Sequence, residues 1–200
     1  MRAEPINHAL RRVPTGVLYI LCTLPAVWLF YAGVTGGLGV EPIKALEHEL
    51  GKIALQLLVA GLCITPLRRL AGINLLKFRR AIGVMAFVYV LLHLLVWLVL
   101  DVQIPAQIWA DILKRPYVTV GMLAFVLMLP LAATSNGWAV RRLGASWRKL
   151  HRLTYAVAVL GAVHFMWLVK GFQIEPIFYF LGIITLLALR LRWVRKKQAA

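Results

Sequence analysis

Residues 147–170 read WRKLHRLTYAVAVLGAVHFMWLVK, and this stretch places two imidazoles, His151 and His164, in an otherwise apolar helix. Thirteen steps at a rise of 1.5 Å separate them by about 20 Å along the helix axis, roughly two-thirds of a hydrocarbon core of ~30 Å. One histidine is therefore expected near one membrane face and the other well inside the opposite half. Ionisable groups inside a membrane are costly, so such residues indicate a function.

The composition of the whole chain is that of a membrane protein. Of its 200 residues, 62% are hydrophobic and 15% are charged, and the mean hydropathy of +0.81 is far above that of soluble domains. The net charge of +16 comes from short basic clusters between apolar runs, which membrane topology and anionic lipid headgroups explain. We therefore expect an integral membrane protein that contacts lipid and does not bind nucleic acid.

Charge-poor apolar runs predict six transmembrane helices. They lie at about residues 13–34, 53–67, 81–100, 116–133, 153–169 and 177–189. We expect the first run to be retained as a span rather than removed as a secretory signal, because further spans follow it. The predicted fold is an all-α, polytopic membrane helical bundle of about six transmembrane helices, forming a single domain over residues 1–200.

Lysine and arginine residues mark one side of this predicted bundle. They cluster before the first span, between the second and third, between the fourth and fifth, and after the sixth, and include Arg11, Arg12, Arg68, Arg69, Lys77, Arg79, Arg80, Arg141, Arg142, Arg148, Lys149, Arg190 and Arg192. The remaining loops have fewer basic residues and most of the acidic ones. Because cytoplasmic loops are enriched in Lys and Arg, we predict that both termini are cytoplasmic.

A third histidine, His93, lies in the third predicted span, within VYVLLHLLVWL. The helical rise puts it about 18 Å into the bilayer and His164, counted from Leu150, about 21 Å in from the same side. Two imidazoles at equal depth on different helices can bind one haem iron from opposite faces, an arrangement that suits electron transfer. We predict that His93 and His164 are axial haem ligands; the alternative is that each is a structural histidine hydrogen-bonded to a neighbouring helix.

His151 has no such partner, because the matching depth on the third span falls near Arg79 and Arg80. On an ideal helix it also projects roughly 140° away from His164. The open alternatives are a second haem with a non-histidine ligand, a contact to a flavin, a hydrogen bond to a haem propionate, or no cofactor role. At the external mouth of the second span, we expect His48 to lie at the interface or to support the site, with a ligand role as the alternative. Gly51, nearby, would allow a close approach to a porphyrin edge.

The sequence lacks the motifs of several other classes of enzyme. There is no Gly-rich dinucleotide fingerprint and no phosphate loop, so a dehydrogenase unit would have to be another chain. Hydrolase and metalloprotease motifs are also missing. Cys22 and Cys63 lie in apolar runs without haem-attachment or zinc spacing. We predict no catalytic residues on this chain and electron transfer as its activity.

Four segments carry a resemblance to a known family. They are GGLGVEPIKALEHELGKIAL at 36–55, RRAIGVMAFVYVLLHLL at 79–95, KRPYVTVG at 114–121 and SWRKLHRLTYAVAVLGAVHFMWLVK at 146–170. Together they closely resemble the MsrQ (YedZ) family, the haem-binding membrane subunits of the bacterial MsrPQ methionine sulfoxide reductase system. That family is part of the ferric reductase-like transmembrane group, and the likeness covers nearly the whole chain.

The resemblance implies a multi-pass subunit of the bacterial inner membrane that is not an enzyme by itself. It implies that electrons come from a cytoplasmic flavin reductase or the quinone pool. They would pass to MsrP, a periplasmic molybdopterin enzyme that repairs oxidised methionines and forms a heterodimer with this subunit. The family's haem histidines map onto His93, His151 and His164, and haem b, one or two per chain, and FMN are its associated cofactors. The fourth histidine of related oxidases, on the third span, is missing here.

Two alternatives use the same residues. A stand-alone ferric or quinone reductase would have the same haem chemistry but no MsrP partner. A passive membrane protein, such as a transporter or assembly factor, would use its histidines structurally and would be colourless. The lack of charged residues along a pore counts against this second alternative.

Overall fold

The structure is a computed structural model that describes residues 3–169 and 173–198, with side chains described up to Leu191 in the last helix. These residues form helices and no strand, which confirms the predicted all-α class. Lys170, the last residue of the stretch that carries His151 and His164, lies outside the described residues. The α-helices are α1 (Glu4–Arg12), α2 (Thr15–Val34), α3 (Pro42–Pro66), α4 (Arg79–Val96), α5 (Pro105–Lys114), α6 (Pro116–Ala133), α7 (Gly137–Leu143), α8 (Ala145–Leu150), α9 (Leu153–Leu168) and α10 (Ile174–Gln198).

Among the described residues, five helical segments are long and apolar enough to cross a membrane. They are Thr15–Val34, Pro42–Ala71, Leu76–Val102, Pro116–Ala133 and Ile174–Leu191. The chain is therefore a multi-pass membrane protein, as predicted. The remaining predicted span, 153–169, forms α9, whose 16 residues cover only about 24 Å of a ~30 Å core.

The second span is much longer than the apolar run from which it was predicted. Its helix begins at Pro42, because the fixed φ of proline suits the first helical turn and its missing N–H costs nothing there. The helix continues through a wide π-type turn to Ala71 and ends at Gly72, whose φ of +71° is a left-handed conformation that favours glycine. Glu47, Lys52 and their neighbours therefore lie on the helix and not in a loop.

Two helix pairs make the most extensive contacts in the bundle: α3 packs on α4, and α6 packs on α9. Smaller contacts join α10 to α9 and α3, α2 to α4, and the two pairs to each other. Three apolar clusters fill the interior, around Leu50, Ile183 and Val157. The fully buried Tyr89 donates a 2.7 Å hydrogen bond to the carbonyl of Cys22, which ties α4 to α2.

The two ends of the bundle differ in charge. We call the end where α3 and α6 finish and α4 and α9 begin the arginine-rich end, and the other the opposite end. α1 lies at the arginine-rich end, where the Asn7 side chain donates to the carbonyl of Gly72 (2.9 Å) and accepts from the N–H of Asn74 (2.8 Å). That this end faces the cytoplasm stays a prediction from its basic residues.

Candidate functional site

His93 is held on α4 by the backbone of α3. Its Nδ1 atom lies 2.9 Å from the carbonyl oxygen of Glu47. Since a carbonyl oxygen only accepts hydrogen bonds, Nδ1 carries a proton, and in the neutral ring Nε2 therefore keeps its lone pair. Gly51, one turn further along α3, lies against the same ring, and a Cβ there would be 3.1 Å from Nδ1. A larger residue at this position would require the imidazole to shift by a few tenths of an ångström.

His164 is held on α9 in the same way by α6. Its Nδ1 atom lies 2.7 Å from the carbonyl oxygen of Tyr117, and a Cβ on Gly121 would come within 2.8 Å of Nδ1. In both cases the carbonyl precedes the glycine by four residues, one helical turn. The same local arrangement therefore occurs twice, once in each helix pair.

The two imidazoles face each other across the bundle. Their ring centroids are 6.1 Å apart and their planes make an angle of 81°. Both rings line one cavity of about 280 Å³ whose walls include Leu55, Trp97 and Phe165. The structure thus brings together two histidines that are 71 residues apart in sequence, and it does so within an apolar cavity.

Polar side chains line the cavity toward the opposite end of the bundle. They are Lys44, Glu47, His48, Lys52, Asp101 and Arg115. All three cations are paired with acids: Lys44 lies 2.7 Å from Glu41, Lys52 lies 2.6 Å from Glu175 and Arg115 lies 3.2 Å from Asp111. The site therefore has an apolar interior and a charged mouth, and His48 belongs to the mouth.

Arg115 is oriented by two neighbours. Its Nε faces Oδ1 of Asp111, a residue that is only 8% exposed, and its guanidinium donates to the hydroxyl of Tyr117 at 3.3 Å. The hydrogen bond to Tyr117 and the charge of Asp111 raise the pKa of Arg115 above its ordinary value. Tyr117 also supplies the carbonyl that holds His164, so Arg115 contacts the same residue that supports that imidazole.

His151 lies apart from this pair, at the arginine-rich end. Its Nε2 atom is 3.0 Å from the hydroxyl of Thr134, and its ring stacks on Trp147 at a centroid distance of 3.9 Å. The Trp147 indole in turn donates to the carbonyl of Thr134 at 2.9 Å. Partial burial, together with the nearby charge of Arg79, lowers the pKa of His151, so the ring is favoured in its neutral form.

Sequence reasoning missed the residues that support the histidines. Gly51 was expected near a porphyrin edge, whereas in the structure it touches the His93 ring. Gly121 was not predicted, and a hydrogen bond from each ring to a neighbouring helix was expected only in the alternative of structural histidines. The sequence does contain a glycine on α3 and a glycine on α6 at about the membrane depth of the two histidines. Assigning each glycine to a histidine, however, requires knowing which helices pack together.

Comparisons with known proteins agree with this architecture. The family model "Ferric reductase like transmembrane component" matches residues 50–162, which include His93 and His151 and end two residues before His164. A relative from Rhizobium meliloti is 50% identical over 190 residues, covering 91% of this chain and 88% of the relative, and is named protein-methionine-sulfoxide reductase heme-binding subunit MsrQ. The chain belongs to the MsrQ family.

Further MsrQ relatives have the same printed name. One from Agrobacterium fabrum is 48% identical over 175 residues, 87% of this chain and 81% of the relative. Another, from Brucella anthropi, is 45% identical over 174 residues, 86% and 79% of the two chains. The resemblance to MsrQ drawn from the sequence is thus confirmed. No solved structure matches the chain significantly.

Proposed function

We propose that this chain binds haem between His93 and His164 and carries electrons through the membrane as a subunit of a protein-methionine-sulfoxide reductase system. The observation that carries the proposal is the facing pair of imidazoles, each held at Nδ1 by a backbone carbonyl. Metal-bound histidines typically donate their second ring N–H to such a group, which fixes the tautomer and orients the ring. The names of the relatives, which call them heme-binding subunits, support the same conclusion.

The spacing of the rings fits a haem iron. A metal-bound nitrogen lies about 2.0–2.1 Å from the metal and about 1.1 Å from its own ring centroid, so two imidazoles that share one metal would have centroids at most roughly 6.3 Å apart. The observed separation is 6.1 Å. A bare metal ion would need more protein ligands. In the described part of the chain, no group of three or more His, Cys, Asp or Glu side chains is positioned to hold one.

Haem held by two imidazoles supplies reversible one-electron transfer with no open coordination position. The chain's own residues would do the rest. His93 and His164 would hold the haem iron through the ring nitrogens that their backbone hydrogen bonds leave free, and the apolar cavity walls would exclude water. At the mouth, Lys44, Lys52 and Arg115 offer cationic partners of the kind that carboxylate groups such as propionates need.

Donor and acceptor are proposed from the family resemblance. Electrons would enter from a cytoplasmic flavin reductase or from the quinone pool, and leave to a periplasmic MsrP-type molybdopterin subunit that forms a heterodimer with this chain in the bacterial inner membrane. The chain would have no catalytic activity of its own. Haem b is the proposed cofactor, with one or two per chain, and FMN is proposed as an additional one. His151 is the proposed contact for a second haem, because it lies at the other end of the bundle from the first pair.

The test of haem binding is the absorption spectrum of purified protein. We expect a reducible b-type spectrum in the wild type and its loss in His93→Ala and His164→Ala. His8→Ala is the matched control, because His8 is an exposed histidine on α1, and it should keep full absorbance. Colourless wild-type protein, or equal haem content in all three variants, would refute the proposal.

Electron transfer to a partner needs a second experiment. Membranes reconstituted with the wild-type chain, an MsrP-type subunit and a reduced flavin or quinol donor should reduce methionine sulfoxide in a test protein. Reduction should stop with His164→Ala and continue with His8→Ala. If the chain instead reduces ferric chelates or quinone and never the MsrP-type subunit, it is a stand-alone reductase.

A further inference from the structure

Arg190 of α10 is held inside the bundle at the arginine-rich end by two hydroxyl groups. Its guanidinium donates to the hydroxyl of Tyr155 on α9 at 2.6 Å and to the hydroxyl of Thr65 on α3. The guanidinium carbon also lies 5.0 Å from the centroid of the Tyr155 ring. Three helices thus meet at one partly buried arginine, and none of the three side chains lines the cavity of His93 and His164.

The charge of Arg190 has no acidic counterpart within the described residues. The three ion pairs found there all lie at the opposite end of the bundle, and none includes Arg190. Of the seven acidic residues in the chain, only Glu4 lies on an element at the arginine-rich end. Two neutral hydroxyls satisfy hydrogen bonds but do not balance a positive charge, and a partly desolvated charge without a counterion is unfavourable.

Two further cations make the local charge larger. Arg79, at the start of α4, is close enough to act electrostatically on both Arg190 and His151, and Arg69 acts on Arg190 as well. Guanidinium groups repel each other, so their proximity is stabilised when an anion is shared between them. Cation clusters between membrane helices at the cytoplasmic side are known to bind lipid headgroups in this way.

The hydrogen-bonding capacity of the cluster also points to an anion. A guanidinium has five N–H donors in a planar fork, and the two bonds to Tyr155 and Thr65 use only part of them. Each of these hydroxyls accepts a bond from Arg190 and keeps its own hydrogen available to donate. The cluster is therefore rich in donors that converge from three side chains, which is what a phosphate group with several acceptor oxygens requires.

We propose that Arg190, Tyr155 and Thr65, with Arg79 nearby, form a phosphate-binding site at the arginine-rich end, where α3, α9 and α10 meet. The apolar run of α10 gives way to basic residues from Arg190 onward, which puts Arg190 at the depth where lipid phosphates begin. Phosphate can reach this depth as the headgroup of an anionic phospholipid or as part of a soluble phosphate compound. The site is independent of the histidine pair, so the haem proposal can fail without affecting it.

The test measures phosphate binding to the purified full-length chain. Native mass spectrometry would count retained phosphatidylglycerol against phosphatidylcholine, and melting temperature would be followed while each lipid, inorganic phosphate or flavin mononucleotide is added. We expect Arg190→Gln to weaken the preferred phosphate ligand roughly tenfold or more, because charge-assisted bonds from an arginine are lost. Arg190→Lys keeps the charge but loses the fork, and should be intermediate.

The matched control is Arg148→Gln, which removes one positive charge from an exposed position at the same end. Equal weakening by Arg190→Gln and Arg148→Gln would overturn the proposal, because binding would then depend on net charge alone. Selectivity for phosphatidylglycerol that depends on Arg190 supports the site with a lipid source. Arg190-dependent binding of flavin mononucleotide or inorganic phosphate supports it with a soluble source.

Two further variants cover the case in which Arg190→Gln does not fold. Tyr155→Phe and Thr65→Val keep the arginine and each remove one hydroxyl, and each should weaken phosphate binding a few-fold. If Arg190 merely ties three helices together, these variants will lower the melting temperature equally with and without phosphatidylglycerol, and none of the four probes will distinguish them from wild type. That result would overturn the proposal.

Discussion

The Nδ1 atom of His164 lies 2.7 Å from the carbonyl oxygen of Tyr117. This bond fixes the ring on α9 relative to α6, and the bond from His93 to Glu47 does the same for α4 and α3. Because each ring is fixed by a different helix pair, the angle between the two imidazole planes is determined by the fold.

The first prediction concerns the angle of 81° between the imidazole planes. In the haem-loaded protein, nearly perpendicular imidazoles leave the iron d orbitals close in energy, so the oxidised form should give a low-spin, highly anisotropic EPR signal. The measurement is a low-temperature EPR spectrum of the purified wild type. A rhombic low-spin signal of the kind given by parallel imidazoles would show that the rings rotate away from their positions here.

The second prediction concerns the glycines beside the rings. Gly121→Ala should lower haem affinity by roughly tenfold or more, because its Cβ would be 2.8 Å from Nδ1 of His164 and the ring must move away from its supporting carbonyl. Gly51→Ala, with a distance of 3.1 Å, should have a smaller effect. Haem titration of the two apo variants would measure this.

Gly83→Ala is the control for these glycine variants. A Cβ on Gly83 meets nothing within 4 Å, so this change should leave haem affinity unaltered while favouring the helix by about 0.5–1 kcal/mol. If Gly121→Ala and Gly83→Ala bind haem equally well, the close approach at Gly121 is not required.

The third prediction separates His151 from the facing pair. His151→Ala should leave the spectrum and the EPR signal of the His93–His164 haem intact, because His151 contacts Thr134 and Trp147 at the other end of the bundle. If two haems are bound per chain, the ratio of haem to protein should fall from two to one. The measurement is the amount of haem per chain. If the EPR signal of the His93–His164 haem disappears in His151→Ala, the two ends of the bundle do not act independently.

The fourth prediction concerns Arg115 and Asp111. Arg115→Gln should lower the free energy of unfolding by about 1–3 kcal/mol, because it leaves the Asp111 carboxylate, only 8% exposed, without its cation. The lower part of this range is expected, since the Arg115 side chain is 49% exposed. Equilibrium unfolding in detergent would measure the change.

A double-mutant cycle tests the cause of that loss. Replacing both residues, with Asp111→Asn added to Arg115→Gln, removes the unpaired charge and should recover most of the stability. Additive losses in the two single variants would mean that Arg115 and Asp111 do not stabilise each other.

Much of the fold could be predicted because apolar runs report membrane helices directly. The length of α3 could not be predicted in this way. Hydropathy identifies only the apolar part of a helix, whereas α3 begins at Pro42 and includes the charged residues Glu47 and Lys52. The separate helix α1 was missed for a related reason, since its attachment depends on Asn7 meeting Gly72 and Asn74 from a distant part of the chain.

The pairing of His93 with His164 was accessible from sequence because helical rise converts residue number into depth, and both helices begin at the same end. The partners of the rings were not accessible in this way. Thr134 meets His151 only because α7 and α8 turn the chain back on itself. Gly121 is a neighbour of His164 only because α6 packs on α9. Such contacts depend on helix packing, which the residue pattern of one chain does not encode locally.

The division of the bundle into an α3–α4 pair and an α6–α9 pair has a consequence for assembly. Each pair is packed extensively within itself and presents one complete half-site, consisting of an imidazole, a carbonyl and a glycine. The contact between the pairs is smaller. A ligand bound by both imidazoles would therefore hold the two helix pairs together across the interface where they meet. Removing that ligand should therefore weaken the packing between the two helix pairs before it affects the packing within either pair.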